Sequence, residues 1–239
     1  MNVNWLDVTV QLADGMLRSC LIFGLTLLFS LPLGMVVAFG RLNKWAPLRF
    51  LRRYNNVVLR FLASLKPIQL ITKLFISVLR GTPLMLQLLV VYFGPYYIFG
   101  LSISVEYQFY AVIIAFSVNY AAYFAEIYRA GIESISKGQY EAAEVLGYTK
   151  KQTFFKIILP QVIKVILPPV TNEVITLIKD TSLAFVIAYA EMFTEAKWIS
   201  ARTTSMVPLA VAGVFYYVFN LLVAVLMEKL EARMDYTKR

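Results

Sequence analysis

The chain predicts an all-α, polytopic membrane protein, on three observations. Hydrophobic residues fill 59% of its 239 positions and charged residues 15%, with mean hydropathy +0.68; soluble domains average about 45–50% apolar and about 25% charged. Apolar runs of the ~20 residues needed to cross a bilayer recur along it. Lysine and arginine, 23 against 14 acids, crowd into alternate connections between those runs. A net charge of +9 alone would suit a nucleic-acid binder. Its confinement to span flanks points instead to topology and anionic lipid, with no nucleic acid as partner.

Residues 1–15 read as a short outer interfacial segment without the basic n-region of a cleavable signal, and the first apolar run is too long for an h-region. Five spans follow, over 16–40, 74–99, 108–130, 168–195 and 207–227. Between the first two, Arg41, Lys44, Arg49, Arg52, Arg53, Arg60, Lys66 and Lys73 alternate with Trp45, Phe50, Tyr54, Leu59, Phe61 and Leu62. That pattern suits a strap on the membrane surface. Lys137, Lys150, Lys151, Lys156 and Lys164 follow span three, with Arg129 at its edge, and Lys229, Arg233, Lys238 and Arg239 end the chain. The opposite side has only Arg18, Lys197 and Arg202. The positive-inside rule then puts the N-terminus outside and the C-terminus in the cytoplasm, which five spans permit. Pro168-Pro169, followed by Thr171, Asn172 and Glu173, reads as the structural start of a helix. No internal repeat or linker divides the chain, so residues 1–239 form one transmembrane domain.

The loop 131–164 carries the most informative pattern. Ile132-Glu133-Ser134-Ile135 leads to a turn at Lys137-Gly138 and a helix over 139–146, which Gly147 stops. Thr149 opens an amphipathic second helix through Phe154, Phe155, Ile157 and Ile158, ending at Leu159-Pro160. Ala142 and Ala143 would let a partner backbone approach closely, and Glu141 and Glu144 would meet basic groups. The residues alone leave two readings open: a rigid element passing a partner's push into the membrane, or an ordinary surface loop.

Glu141-Ala142-Ala143, Gly147 and Ile158-Leu159-Pro160 together resemble the "EAA" signature of ABC importer membrane subunits. Three further stretches resemble the polar amino acid permeases of that family, the histidine, glutamine and arginine type. They are Arg80-Gly81-Thr82-Pro83-Leu84, the run from Ala122 through Glu126 and Arg129 to Gly131, and Lys179-Asp180-Thr181-Ser182-Leu183. The resemblance covers about residues 74–195; the long basic connection before Arg80 departs from it. It implies a type I importer fold in a bacterial inner membrane. It also implies an ABC ATPase dimer, a second permease copy or paralogue, and an extracytoplasmic amino acid-binding protein. By the same resemblance Glu141, Ala142, Ala143, Glu144, Gly147, Leu159 and Pro160 couple to the ATPase. The chain lacks a phosphate-cradling Gly-rich Lys-Ser/Thr loop, so ATP and Mg are expected on the partner and no cofactor here.

Polar groups deep in a bilayer are costly and default to functional roles. Asn119 lies ~16 Å into span three and Asp180 ~18 Å into span four, at 1.5 Å per residue; Gln87 sits near the middle of span two. Asp180 is a candidate acceptor for a substrate ammonium. Gln87, Asn119, Thr181 and Ser182 are candidate donors to its carboxylate, with Tyr123 beside them. The bland readings are a structural ion pair for Asp180, with Lys179 of a paired subunit, and interhelical hydrogen bonds for Gln87 and Asn119. Arg80 and Glu126 would pair as a structural lock or an inner gate. Glu191 and Glu195 read as solvated carboxylates at the outer end. An ion-driven transporter would need inverted repeats and matched broken helices, which the sequence does not display. An intramembrane enzyme finds no histidine, no metal cluster, one lone Cys20 and no Ser/Lys or paired-Asp arrangement; no catalytic or metal residue is expected.

Overall fold

The computed structural model describes residues 5–53 and 56–234, and among them every regular element is helical. Tyr54, Lys238 and Arg239 of the basic flanks lie outside the described residues, as do the side chains of Arg52 and Phe61. Helix α1 runs Trp5–Leu42, a 3₁₀ turn Arg49–Arg53, α2 Val57–Ser64, α3 Pro67–Gly81, α4 Leu84–Phe99 and α5 Tyr107–Ser134. Then come α6 Lys137–Val145, α7 Lys150–Thr153, a π turn Phe154–Ile158, α8 Leu159–Asp180, a 3₁₀ turn Thr181–Ile187, α9 Met192–Thr203 and α10 Val207–Met234. Four helical runs are long and apolar enough to cross a membrane, and five if the α3–α4 pair counts as one crossing.

Helix α5 is the centre. Its buried residues include Ala111, Ala115, Ala121, Ala122 and Ala125 beside Phe116, Tyr120 and Phe124. Small residues let membrane helices approach closely. Thus α1 lies along α5, with Gly34 so near that a Cβ there would be 2.8 Å from the Phe124 Cβ. Gly131 does the same for α8, where a Cβ would sit 2.2 Å from Ile166 Cγ2. The main core joins Ile22, Leu88, Phe116, Phe124 and Leu177. A second cluster packs α9 between α1 and α10 through Leu12, Met192, Ala196, Ile199 and Ala212.

Two readings from the sequence change. The second span is not straight: α3 and α4 meet at 106° across Arg80-Gly81-Thr82-Pro83. Pro83 cannot continue α3's hydrogen-bond ladder and disfavours helical backbone at Thr82, whose φ of −124° and ψ of 146° are extended. Nor does the second loop helix end at Leu159-Pro160. Helical backbone is unbroken from Lys150 to Ile187, and Pro168 and Pro169 lie inside α8 rather than at its start. Pro160 lacks an N–H, and just before it the ladder widens to a π turn, with the Leu159 N–H on the Phe154 carbonyl. Prolines inside membrane helices are tolerated where neighbours hold the helix, and α5 and α10 flank this one.

Candidate functional site

The loop signature folds into a rigid bracket. The Ser136 hydroxyl caps α6 by accepting from the Gly138 N–H. At its other end Gly147 takes φ +76°. The Gly147 N–H donates to the Glu144 carbonyl at 2.9 Å and the Tyr148 N–H to the Ala143 carbonyl at 3.0 Å. This crossed pair is the Schellman stop expected of a glycine after a helix. Thr149 and Gln152 then form a reciprocal capping box that starts α7.

Glu141, Ala142, Glu144 and Gly147 are exposed, Pro160 is exposed and Leu159 half-buried. Ala143 is 1% exposed, against the chain's own fold, so it does not face a partner as expected. Its smallness lets α6 sit close to the π turn, whose Ile158 is fully buried. The sequence reading missed Val145 and Leu146, which stand 88% and 73% exposed at the end of α6. Beside them a cavity of about 400 Å³ opens among Tyr140, Glu144, Tyr148, Lys150 and Phe154. Two exposed apolar side chains beside an aromatic cavity that carries Glu144 and Lys150 suit a docking surface.

The candidate passage residues divide into two groups. Gln87 and Asn119 meet at the α3–α4 break. The Gln87 amide donates to the Leu79 carbonyl at 2.9 Å, the Thr82 carbonyl at 3.1 Å and the Thr82 hydroxyl at 2.8 Å. Asn119 donates to the Leu79 carbonyl at 3.1 Å and to Gln87 Oε1 at 3.0 Å. Helix ends leave carbonyls without partners, and these two amides satisfy them. Thr181 and Ser182 likewise donate to the Ile178 and Lys179 carbonyls at 2.8 and 2.7 Å. The donors expected for a substrate carboxylate are therefore engaged on backbone.

The second group faces open space. A cavity of about 370 Å³ between α5 and α8 is lined by Arg80, Tyr123, Glu126 and Glu173 among apolar residues. Arg80 does not pair with Glu126. Its guanidinium lies over the Tyr123 ring, 5.1 Å from the centroid, while Glu126 pairs with Arg129 one turn on, which also grips Glu133. A partner on the same helix is geometrically nearer than one across the cavity. Glu173, read from sequence as part of a helix start, is mid-helix and lines this cavity. Asp180 lies on the same face seven residues on, about 10 Å further along the helix, and accepts from the Tyr120 hydroxyl at 2.7 Å. The spacing Glu173…Asp180 was visible in the sequence once α8 is known to be continuous. Glu191, expected in solvent, is fully buried.

Comparison with known proteins agrees with this layout. The family model described as "Binding-protein-dependent transport system inner membrane component" matches residues 30–236. The L-cystine transport system permease protein TcyB of Bacillus subtilis (strain 168) is 34% identical over 214 residues, covering 88% of this chain and 81% of that protein. The arginine transport system permease protein ArtQ of the same organism is 39% identical over 174 residues, covering 72% and 78%. A crystal structure of an amino acid ABC transporter with histidines superposes with TM-score 0.79 at 31% identity, covering 98% of this chain and 100% of that one. The family match thus reaches from inside α1 to the end of α10 and takes in both the α6 bracket and the broken second span. The chain belongs to the binding-protein-dependent transport system inner membrane components.

Proposed function

We propose that this chain is the membrane-spanning subunit of an ATP-driven importer for a polar amino acid, coupled to its ATPase through α6. The observation that carries the reading is the α6 bracket: a helix fixed at both ends that points Val145, Leu146, Glu141 and Glu144 away from its own fold. It is joined through α7 and the π turn to α8, the helix that bears Glu173 and Asp180. A displacement of α6 would therefore reach the acidic face of α8 without crossing a flexible loop. The N-terminus lies outside and the C-terminus in the cytoplasm, supported by the flank charges. A second permease copy or paralogue completes the passage, in keeping with the broad apolar faces left uncovered on α4 and α10.

In the passage, Asp180 and Glu173 accept from the substrate's ammonium or a cationic side chain, and Arg80 receives its carboxylate. Tyr123 holds Arg80 in place. Gln87 and Asn119 contribute by keeping the second span bent beside the cavity. The named relatives, for L-cystine and arginine, support a polar amino acid.

The test is ATP hydrolysis by the permease–ATPase complex reconstituted with its binding protein, screened over the polar amino acids. One or a few should stimulate it. Asp180→Asn should abolish uptake while leaving the complex assembled; normal uptake by that variant removes Asp180 from the passage. A chain that moves solute alone down an ion gradient, with no ATPase bound, would overturn the importer reading.

A further inference from the structure

At the outer end of the molecule α1, α9 and α10 meet around one carboxylate. Glu191 Oε1 accepts from the Thr194 N–H at 2.8 Å and the Thr194 hydroxyl at 2.9 Å. Oε2 accepts from the Phe193 N–H at 2.8 Å, the Tyr216 hydroxyl at 2.9 Å and the Ser19 hydroxyl at 3.2 Å, a proton Ser19 shares with the Gly15 carbonyl at 3.2 Å. Ser19 in turn accepts from the Met192 N–H at 3.2 Å. Every one of these five contacts brings a donor, which suits a carboxylate, an acceptor-only group. Each donor is neutral, and the residue is 0% exposed.

The five bonds fall into two sets. Those from Phe193 and Thr194 cap α9 and travel with it. Those from Ser19 and Tyr216 cross to α1 and α10 and fix where α9 sits. Gly15 marks how closely: a Cβ there would lie 2.9 Å from the Met192 Cα. The same Tyr216 hydroxyl lies 3.5 Å from that of Thr181, the residue after Asp180. From Asp180 the backbone runs through the 3₁₀ turn 181–187 and a short turn to Glu191. One carboxylate thus holds α9 to two long helices at the end of the element that carries Asp180.

We propose that Glu191 is a latch: its bonds to Ser19 and Tyr216 hold α9 shut over the outer end of the chain, and they release when solute enters. The proposal rests on the importer reading above. Glu191 is a positioning residue and touches no solute. Because the cap bonds are separate from the cross-helix bonds, α9 stays a capped helix when the latch opens.

The separation makes the latch testable in the full complex in liposomes with its binding protein. Ser19→Ala removes the two bonds that Ser19 makes across to Glu191 and Met192, Tyr216→Phe removes the Tyr216 bond to Glu191, and both keep the cap. Thr194→Val removes one cap bond and keeps the latch. Readouts are ATP hydrolysis without amino acid, and the apparent KM and maximal rate with L-arginine, L-glutamine or L-cystine as probe. S19A and Y216F should raise the unstimulated rate by about three- to fifteenfold or more, the shift that the loss of one or two interhelical hydrogen bonds can produce. Their KM should move while the maximal stimulated rate stays near wild type. T194V should leave the unstimulated rate within about twofold. The latch is overturned if S19A and Y216F assemble and hydrolyse like wild type without amino acid. It is equally overturned if T194V raises the rate as much as they do, or if S19A and Y216F yield no complex, which would assign the bonds to assembly. A wild-type complex that hydrolyses no ATP overturns the importer reading and the latch with it; wild-type behaviour of the two variants overturns the latch alone.

Discussion

Gly147 holds φ +76° and closes the crossed hydrogen bonds that end α6. An L side chain in that region costs about 1–2 kcal/mol. Gly147→Ala should therefore loosen the bracket without touching the spans: ATP hydrolysis should become less responsive to amino acid, with the complex still assembled. A stimulation ratio equal to wild type would show that the stop is not needed for coupling. Gln87 makes a second residue-scale prediction. Gln87→Leu takes a donor from the Thr82 carbonyl and leaves the Leu79 carbonyl to Asn119 alone, each lost bond being worth about 0.5–1.5 kcal/mol. The variant should melt a few degrees lower in detergent, and Asn119→Leu added to it should cost less than it does alone, since the Asn119–Gln87 bond is already gone. Strict additivity would separate them. These two side chains also show where sequence reading stops. Counting residues placed them at a similar depth on neighbouring spans; the structure shows them in contact across a bent second span, and their partners were not legible because the bend that frees the carbonyls is a tertiary feature.

Between elements, close approach decides. Gly131→Ala would put a Cβ into Ile166, and overpacking of this kind costs about 1–3 kcal/mol. Pairing it with Ile166→Ala should recover most of the lost melting temperature; no recovery would place the strain elsewhere. The caps of α6 and α7 were legible, because Gly147 and Thr149 act locally and carry their own signals. The unbroken run into α8 was not. Pro160, Pro168 and Pro169 are helix-start signals by propensity, and packing against α5 and α10 overrides them. The burial of Glu191 was hidden for a similar reason. As an N-cap it reads as a surface acid, and only the fold brings Ser19 and Tyr216 to it.

At the scale of the whole molecule, the proposed topology rests on the alternation of charged flanks. With Cys20→Ser as background, a cysteine replacing Lys197 should react with an impermeant thiol reagent added outside intact cells, and one replacing Lys150 should not. The reverse pattern would invert the proposed topology. The order of signature motifs along the chain was enough to name the architecture, since each motif occupies a connection or a span end of the described fold. The basic strap was legible as composition; the structure resolves it into a 3₁₀ turn and the short helix α2, with Trp45, Phe50 and Val57 exposed.

The π turn at Phe154–Ile158 sets the phase of everything after it. One residue beyond the α-helical count rotates the rest of a helix by about 100°, at 3.6 residues per turn. Glu173 and Asp180 owe their compass bearing to that single surplus residue. Deleting one residue within 154–158 would let the ladder close up as an ordinary α-helix and swing both acids about a quarter turn from the α5 side. Taken from Phe154, Phe155, Ile157 or Ile158, the deletion alters no charge, yet it should silence uptake as fully as removing Asp180.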